Sequence, residues 1–178
     1  MKHGYVQVYT GNGKGKTTAS VGLALRAIVA GFHVYYAQFM KQGYTGEKIG
    51  LTELAQNEKV KGKLTYEQFG NGTELRAPDA QADAQAAREG YVRAQEILGS
   101  NDYDVVILDE INVATWLGYI TEDEGLDLIR NKPESTELIL TGRGALQSVM
   151  DAADLVTEMH EQKHYYNQGV MARKGIEM

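Results

Sequence analysis

The 178-residue chain has no cysteine. Disulfides, thiolate metal sites, a cysteine nucleophile and iron–sulfur ligation are therefore excluded. Proline is almost missing: Pro78 and Pro133 are the only two, each beside an expected helix end. There is no internal repeat and no low-complexity linker. No apolar run is long enough to cross a bilayer, and no charged-then-apolar leader precedes the first strand, so a membrane partner is not expected and the expected location is the cytoplasm. Positive charge is in deficit. Eighteen Lys and Arg against 24 Asp and Glu leave a formal net charge of −6, which disfavours nucleic acid as a partner while leaving room for a local basic pocket. The length suits one domain, 1–178, with a sizeable core.

What is present is organised around Tyr9-Thr10-Gly11-Asn12-Gly13-Lys14-Gly15-Lys16-Thr17-Thr18. Tyr5 to Tyr9 before it is aromatic and β-branched, a short strand. Ala19 to Ala30 after it has Arg26 as its only charge, which reads as a buried helix. Strand, glycine-rich turn, Gly-Lys-Thr and helix form a phosphate-binding loop. Glycines bring backbone N–H groups close to a phosphate, and the helix N-terminus adds partial positive charge at the same place. Lys16 supplies a full charge for phosphate oxygens, and the Thr17 hydroxyl is placed to ligate Mg²⁺. The first position of the usual pattern is Thr10 rather than glycine, but three glycines follow within five residues. Gly11, Asn12, Gly13, Lys14, Gly15, Lys16, Thr17 and Thr18 are the expected nucleotide-binding residues.

Further along, Gly31 ends the first helix and His33 to Phe39 is a second buried strand. Met40 to Lys48 is a loop, Ile49 to Glu58 a short helix, and Leu64 to Phe69 a third strand followed by a Gly70-Asn71-Gly72 turn. Ala84, Ala87, Tyr91, Ala94 and Leu98 repeat at helical spacing, with Gly99 as the expected stop. Val105 to Leu108 is an unalternated apolar strand, hence covered on both faces. Thr121-Glu122-Asp123-Glu124 is a capping box opening a helix that Pro133 stops. Leu138 to Leu140 is a fifth strand, a short helix runs to about Ala153, and Gly169 to Met178 is expected as a further strand. Strands alternating with helices predict an α/β fold of the phosphate-loop NTPase, RecA-like kind, with a largely parallel sheet and helices on both faces. Ligands bind such sheets at the carboxyl ends of the strands. There the phosphate loop, Met40 to Lys48, Asp109-Glu110 and Thr141 to Gly144 can line one crevice.

The pair Asp109-Glu110 ends a buried strand and matches the acidic motif that accompanies a phosphate loop, so Thr17, Asp109 and Glu110 are the candidate Mg²⁺ residues. In a hydrolase the second acid would instead orient an attacking water. Lys16, Thr17 and Glu110 are the candidate catalytic residues. Arg143, between two glycines after a strand, offers a planar donor fork for a phosphate oxygen. His164 has no second ligand at metal spacing and reads as a packed or hydrogen-bonding residue; Trp116 and Tyr119 read as core or interface packing. These residues serve different classes alike, among them a phosphate-loop ATPase or nucleoside kinase moving the γ-phosphoryl group and a nucleotide-binding regulator.

Several segments in order resemble one family, the ATP-dependent corrinoid adenosyltransferases of the phosphate-loop branch. They are Gly11 to Thr18, Leu108-Asp109-Glu110-Ile111-Asn112, Thr141 to Ala145, Asp154 to Met159, Lys163-His164 and Gly175-Ile176-Glu177. The resemblance implies that Co(I) of a reduced corrinoid attacks the 5′-carbon of ATP, the adenosyl group moves to cobalt and triphosphate leaves. It implies a nucleotide bound in reverse, with its γ-phosphate end in the loop, Mg²⁺, a homodimer and a reductase partner. Better-known members carry a Phe-x-Trp pair that shields the lower corrin face. Here Gly72 is followed by Thr73-Glu74-Leu75, so the aromatic pair is missing and corrinoids without a bound lower ligand are the expected preference.

Overall fold

The computed structural model describes residues 2–43, 45–71 and 80–177. The elements run β1 Val6–Thr10, α1 Lys16–Val29, β2 His33–Phe39, α2 Gly46–Ala55, β3 Lys63–Phe69, α3 Ala80–Ser100, β4 Val105–Asp109, α4 Ile111–Trp116, α5 Glu122–Arg130, β5 Glu137–Thr141, α6 Gln147–Asp151 and β6 Leu155–Glu158, with a 3-10 turn at Tyr165–Gln168. Among the described residues six strands form one sheet in the order β3-β2-β4-β5-β1-β6, and every pairing in it is parallel.

Strand periodicity sends alternate side chains to opposite faces. Tyr35, Val106, Leu108, Leu138 and Leu140 enter one core, closed by Ala87, Tyr91, Ala94 and Leu98 of α3 and Leu128 of α5. Tyr36, Val105, Ile107 and Ile139 enter the other, closed by Ala24, Ala27 and Ile28 of α1 and Leu51 of α2. Both faces of the central strands are thus covered, as their unalternated apolar composition requires. All strands point the same way, so the segments that leave them meet at one end of the sheet.

Several expectations are corrected. The first helix is buried on one face only: Leu25 and Val29 lie 47% and 61% exposed. The helix α2 starts at Gly46, three residues before the expected Ile49, because the Thr45 side chain accepts a hydrogen bond from the Lys48 N–H. Gly99 does not end α3. The helix runs to Ser100, and Asn101 takes the left-handed conformation (φ 56°), which asparagine tolerates. The tail is not a strand. Tyr165–Gln168 is a 3-10 turn, Gly169 and Gly175 have positive φ, and the Glu177 N–H returns to the Arg173 carbonyl. The capping box at Thr121 and Glu124 is present with both of its reciprocal bonds. Pro78 and the Gly72 to Leu75 stretch lie outside the described residues.

Candidate functional site

The loop after β1 is fixed from behind by the segment after β6. The Gly13 N–H donates to the Met159 carbonyl at 2.7 Å, and the Met159 N–H donates to the Thr10 carbonyl at 2.9 Å. A Cβ on Gly11 would sit 2.4 Å from the Met159 oxygen and one on Gly13 2.7 Å from it. Two of the loop glycines are therefore demanded by this close backbone contact as well as by any approach of phosphate.

Lys16 starts α1 and is nearly buried, 7% exposed. Its ammonium donates to the carbonyls of Gly11 at 2.7 Å and Gly13 at 2.8 Å, so the loop wraps its own lysine. Burial lowers its pKa, a shift opposed by the nearby Glu110 carboxylate. The hydroxyl of Thr17, one residue on, donates to Asp109 Oδ1 at 3.0 Å.

Asp109 ends β4 and Glu110 follows it as the N-cap of α4, and the two are in different circumstances. Asp109 is fully buried. Besides Thr17 it accepts the Thr141 hydroxyl at 2.6 Å, the Gln38 amide at 3.3 Å and the Lys41 ammonium at 3.2 Å. Glu110 adopts a left-handed conformation, φ 64°, and lines the cleft beside the loop. Among the described residues no hydrogen bond or ion pair engages its carboxylate. Burial and then the Asp109 charge raise its pKa, with Lys41, Lys16 and Arg143 opposing.

The cleft has a volume of about 660 Å³. The loop and Thr18 form its floor. Lys41, Gly46 and Glu47 stand on one side, Glu110 and Arg143 on another, and His164, Gly175, Ile176 and Glu177 close a third. All four polar segments expected at the strand ends therefore do meet here. Asn12, Thr18 and Arg143 reach the cleft as expected, and Arg143 is exposed and near enough to act on both Lys16 and Glu110. Lys14 lines it too, but its ammonium is held by the tail, at 3.1 Å from the Ile176 carbonyl and 3.4 Å from Glu177 Oε1. His164 accepts the Tyr166 N–H at 3.1 Å on Nδ1, a hydrogen-bonding role. Trp116 is 58% exposed and packs over Gly144, where an added Cβ would meet its ring at 2.8 Å.

Sequence reasoning missed Lys41, Glu47 and Gln38. Gln38 is buried near the end of β2 and donates to Glu47 Oε1 at 2.7 Å. A polar residue inside an otherwise apolar strand was its signal. The positive φ of Met40 (59°) turns the chain so that Lys41 meets Asp109, and nothing in the residue types announces that turn. The tail wall is not announced either: Gly169 to Met178 reads as a strand, and its real shape comes from hydrogen bonds back to Arg173 and Lys14.

A phosphate loop closed on its lysine, facing a carboxylate across a polar cleft at the carboxyl ends of parallel strands, is the arrangement of the phosphate-loop nucleotide-binding proteins. The fold agrees: flagellar accessory protein FlaH from Methanocaldococcus jannaschii superposes with a TM-score of 0.61, covering 89% of this chain and 72% of that one, at 17% identity. The model of the family described as ATP:corrinoid adenosyltransferase BtuR/CobO/CobP matches residues 2–178, and the chain belongs to that family. Corrinoid adenosyltransferases from Pseudomonas aeruginosa, Sinorhizobium and Escherichia coli are 34%, 36% and 31% identical to it, over 99%, 98% and 99% of this chain and 84%, 80% and 86% of theirs.

Proposed function

We propose that the protein transfers the 5′-deoxyadenosyl group of ATP to Co(I) of a reduced corrinoid and releases intact triphosphate. The observation that carries this reading is the family match over residues 2–178, on a chain whose cleft is lined by the glycine loop, Lys14, Lys16 and Arg143. The γ-phosphoryl-transferring alternative is not favoured. The reacting nucleophile belongs to the corrinoid, so the protein needs neither a nucleophile nor a general base of its own. Its task is to hold two substrates in line and to stabilise the charge that grows on the leaving triphosphate.

In this reading Lys16 gives up its two loop carbonyls to the far phosphates, and the loop amides and the start of α1 add their partial charge. Arg143 meets the same polyphosphate from the carboxyl end of the neighbouring β5, and Lys14 from the tail side. The cleft suits Mg²⁺. No cluster of three His, Cys, Asp or Glu occurs among the described residues, and Mg²⁺ takes few protein ligands, completing its shell with water and phosphate. Glu110 offers a carboxylate that no hydrogen bond or ion pair engages among the described residues, and the Thr17 oxygen is held in place by Asp109. Mg²⁺ would neutralise part of the leaving triphosphate's charge. The proposal extends to a homodimer in the cytoplasm and to a reductase, since a chain without cysteine carries no thiol couple to make Co(I).

The test is anaerobic incubation with Mg-ATP and chemically reduced corrinoid. A light-sensitive cobalt–carbon product with one triphosphate per corrin is expected. ADP and phosphate, formed at a rate indifferent to corrinoid, would overturn the reading. Cobinamide-type precursors should outpace complete cobalamin.

A further inference from the structure

Lys41 belongs to none of the roles assigned above, yet its ammonium sits between the two groups that prepare the metal site. It lies 3.2 Å from Asp109 Oδ2 and 3.5 Å from Thr17 Oγ1. We propose that Lys41 is a resident stand-in for the divalent cation: its ammonium and Mg²⁺ hold the Asp109–Thr17 pair in turn, and metal enters by displacing it. The inference rests on the reading of the cleft as a Mg-nucleotide site.

Three features mark Lys41 as displaceable rather than as a fixed strut. First, its contacts are long for charge-assisted bonds, which run about 2.7–2.9 Å. Second, Asp109 does not depend on it, since Thr141 at 2.6 Å, Thr17 at 3.0 Å and Gln38 at 3.3 Å already donate to that carboxylate. Third, the Lys41 side chain keeps 32% of its surface exposed to the cleft while Asp109 keeps none, so the lysine has somewhere to go. Mg²⁺ bonded to the Thr17 oxygen at about 2.1 Å would lie within a few ångströms of an ammonium left in place, and like charges so close in a partly dry cleft repel strongly. Charge balance gives the arrangement its use. Without metal, Lys41 is drawn to Asp109, Glu110 and Glu47 and keeps the carboxylates from repelling one another. With metal bound, the same ammonium on its four-carbon stem is free to face the incoming polyphosphate.

The experiment is calorimetric titration of ATP at graded Mg²⁺, paired with Mn²⁺ titration of the nucleotide-free protein followed by electron paramagnetic resonance. Wild type is compared with Lys41→Met and Lys41→Arg. Lys41→Met should half-saturate with at least about fivefold less Mg²⁺ and bind Mn²⁺ correspondingly tighter, as expected when a competing cation within Coulomb reach is removed. Lys41→Arg, which keeps the charge, should need as much metal as wild type or more. Equal or greater metal demand in Lys41→Met overturns the proposal. Thermal melts verify folding, and Lys41→Gln replaces the Met variant if that one does not fold. Wild type that binds no ATP would instead overturn the reading of the cleft, and the Mn²⁺ titration then still decides the role of Lys41.

Discussion

At Asp109 the acceptor positions are taken by Thr17, Thr141, Gln38 and Lys41, whereas at Glu110 no described group donates to the carboxylate. The two acids should therefore respond differently to loss of charge. Asp109→Asn places an amide N–H against donors and strips Lys41 of its counter-ion, at a cost of about 1–3 kcal/mol. That lowers the melting temperature by roughly 2–4 °C per kcal/mol in a chain of this size. Glu110→Gln should leave the melt nearly unchanged and raise the Mg²⁺ needed for ATP binding. Equal melts for both variants would sink the distinction. At Lys16, truncation to alanine should weaken ATP binding by well over tenfold, in line with about 1.5–3 kcal/mol for a charged phosphate contact; calorimetry with the folded variant is the check.

At the scale of elements, local signals carried furthest where the chemistry is local. The capping box of α5 was legible because Thr121 and Glu124 satisfy each other's backbone within four residues. Arg88 of α3 also meets Glu124, at 2.5 Å, a contact no spacing could announce. These bonds lower the Glu124 pKa to about 2, the Arg88 bond first among them. A depressed carboxylate stabilises above its unfolded value near 4.5 and loses that contribution as the pH falls toward 2. Glu124→Gln should thus cost about 0.5–1 kcal/mol at pH 7, in the range of an exposed ion pair plus helix-end charge. The gap between the two melts should narrow steadily as the pH falls from about 4.5 toward 2; a constant gap would show that charge is not the cause. The strands and the phosphate loop were legible from apolar runs and glycine spacing. The end of α3 was not, because asparagine and glycine compete for the same left-handed position. The tail was not, because its shape is set by Glu177 bonding Arg173, Tyr165 and Lys14 rather than by any period.

For the whole molecule, that tail is a wall of the cleft with little burial of its own, Met171 and Ile176 each being 55% exposed. A chain ending at Ala172 should keep its melting temperature within a few degrees, since poorly buried ends contribute little to global stability. It should bind ATP several-fold more weakly, because Lys14 loses both partners and becomes mobile; an unchanged ATP affinity would show the wall to be passive. Sheet order has a consequence for synthesis. β1 is made first but lies between β5 and β6, and the loop it carries leans on Met159. A ribosome-bound chain must therefore hold its first strand unpaired until β5, about four-fifths of the way along, and its phosphate loop unbacked until Met159, nearly nine-tenths of the way along. Nucleotide stabilises only what it binds, so ATP lends nothing to the growing chain. A product cut short before Met159 lacks the backing that shapes the phosphate loop, and prematurely terminated translation releases fragments that do not compete with the finished protein for nucleotide.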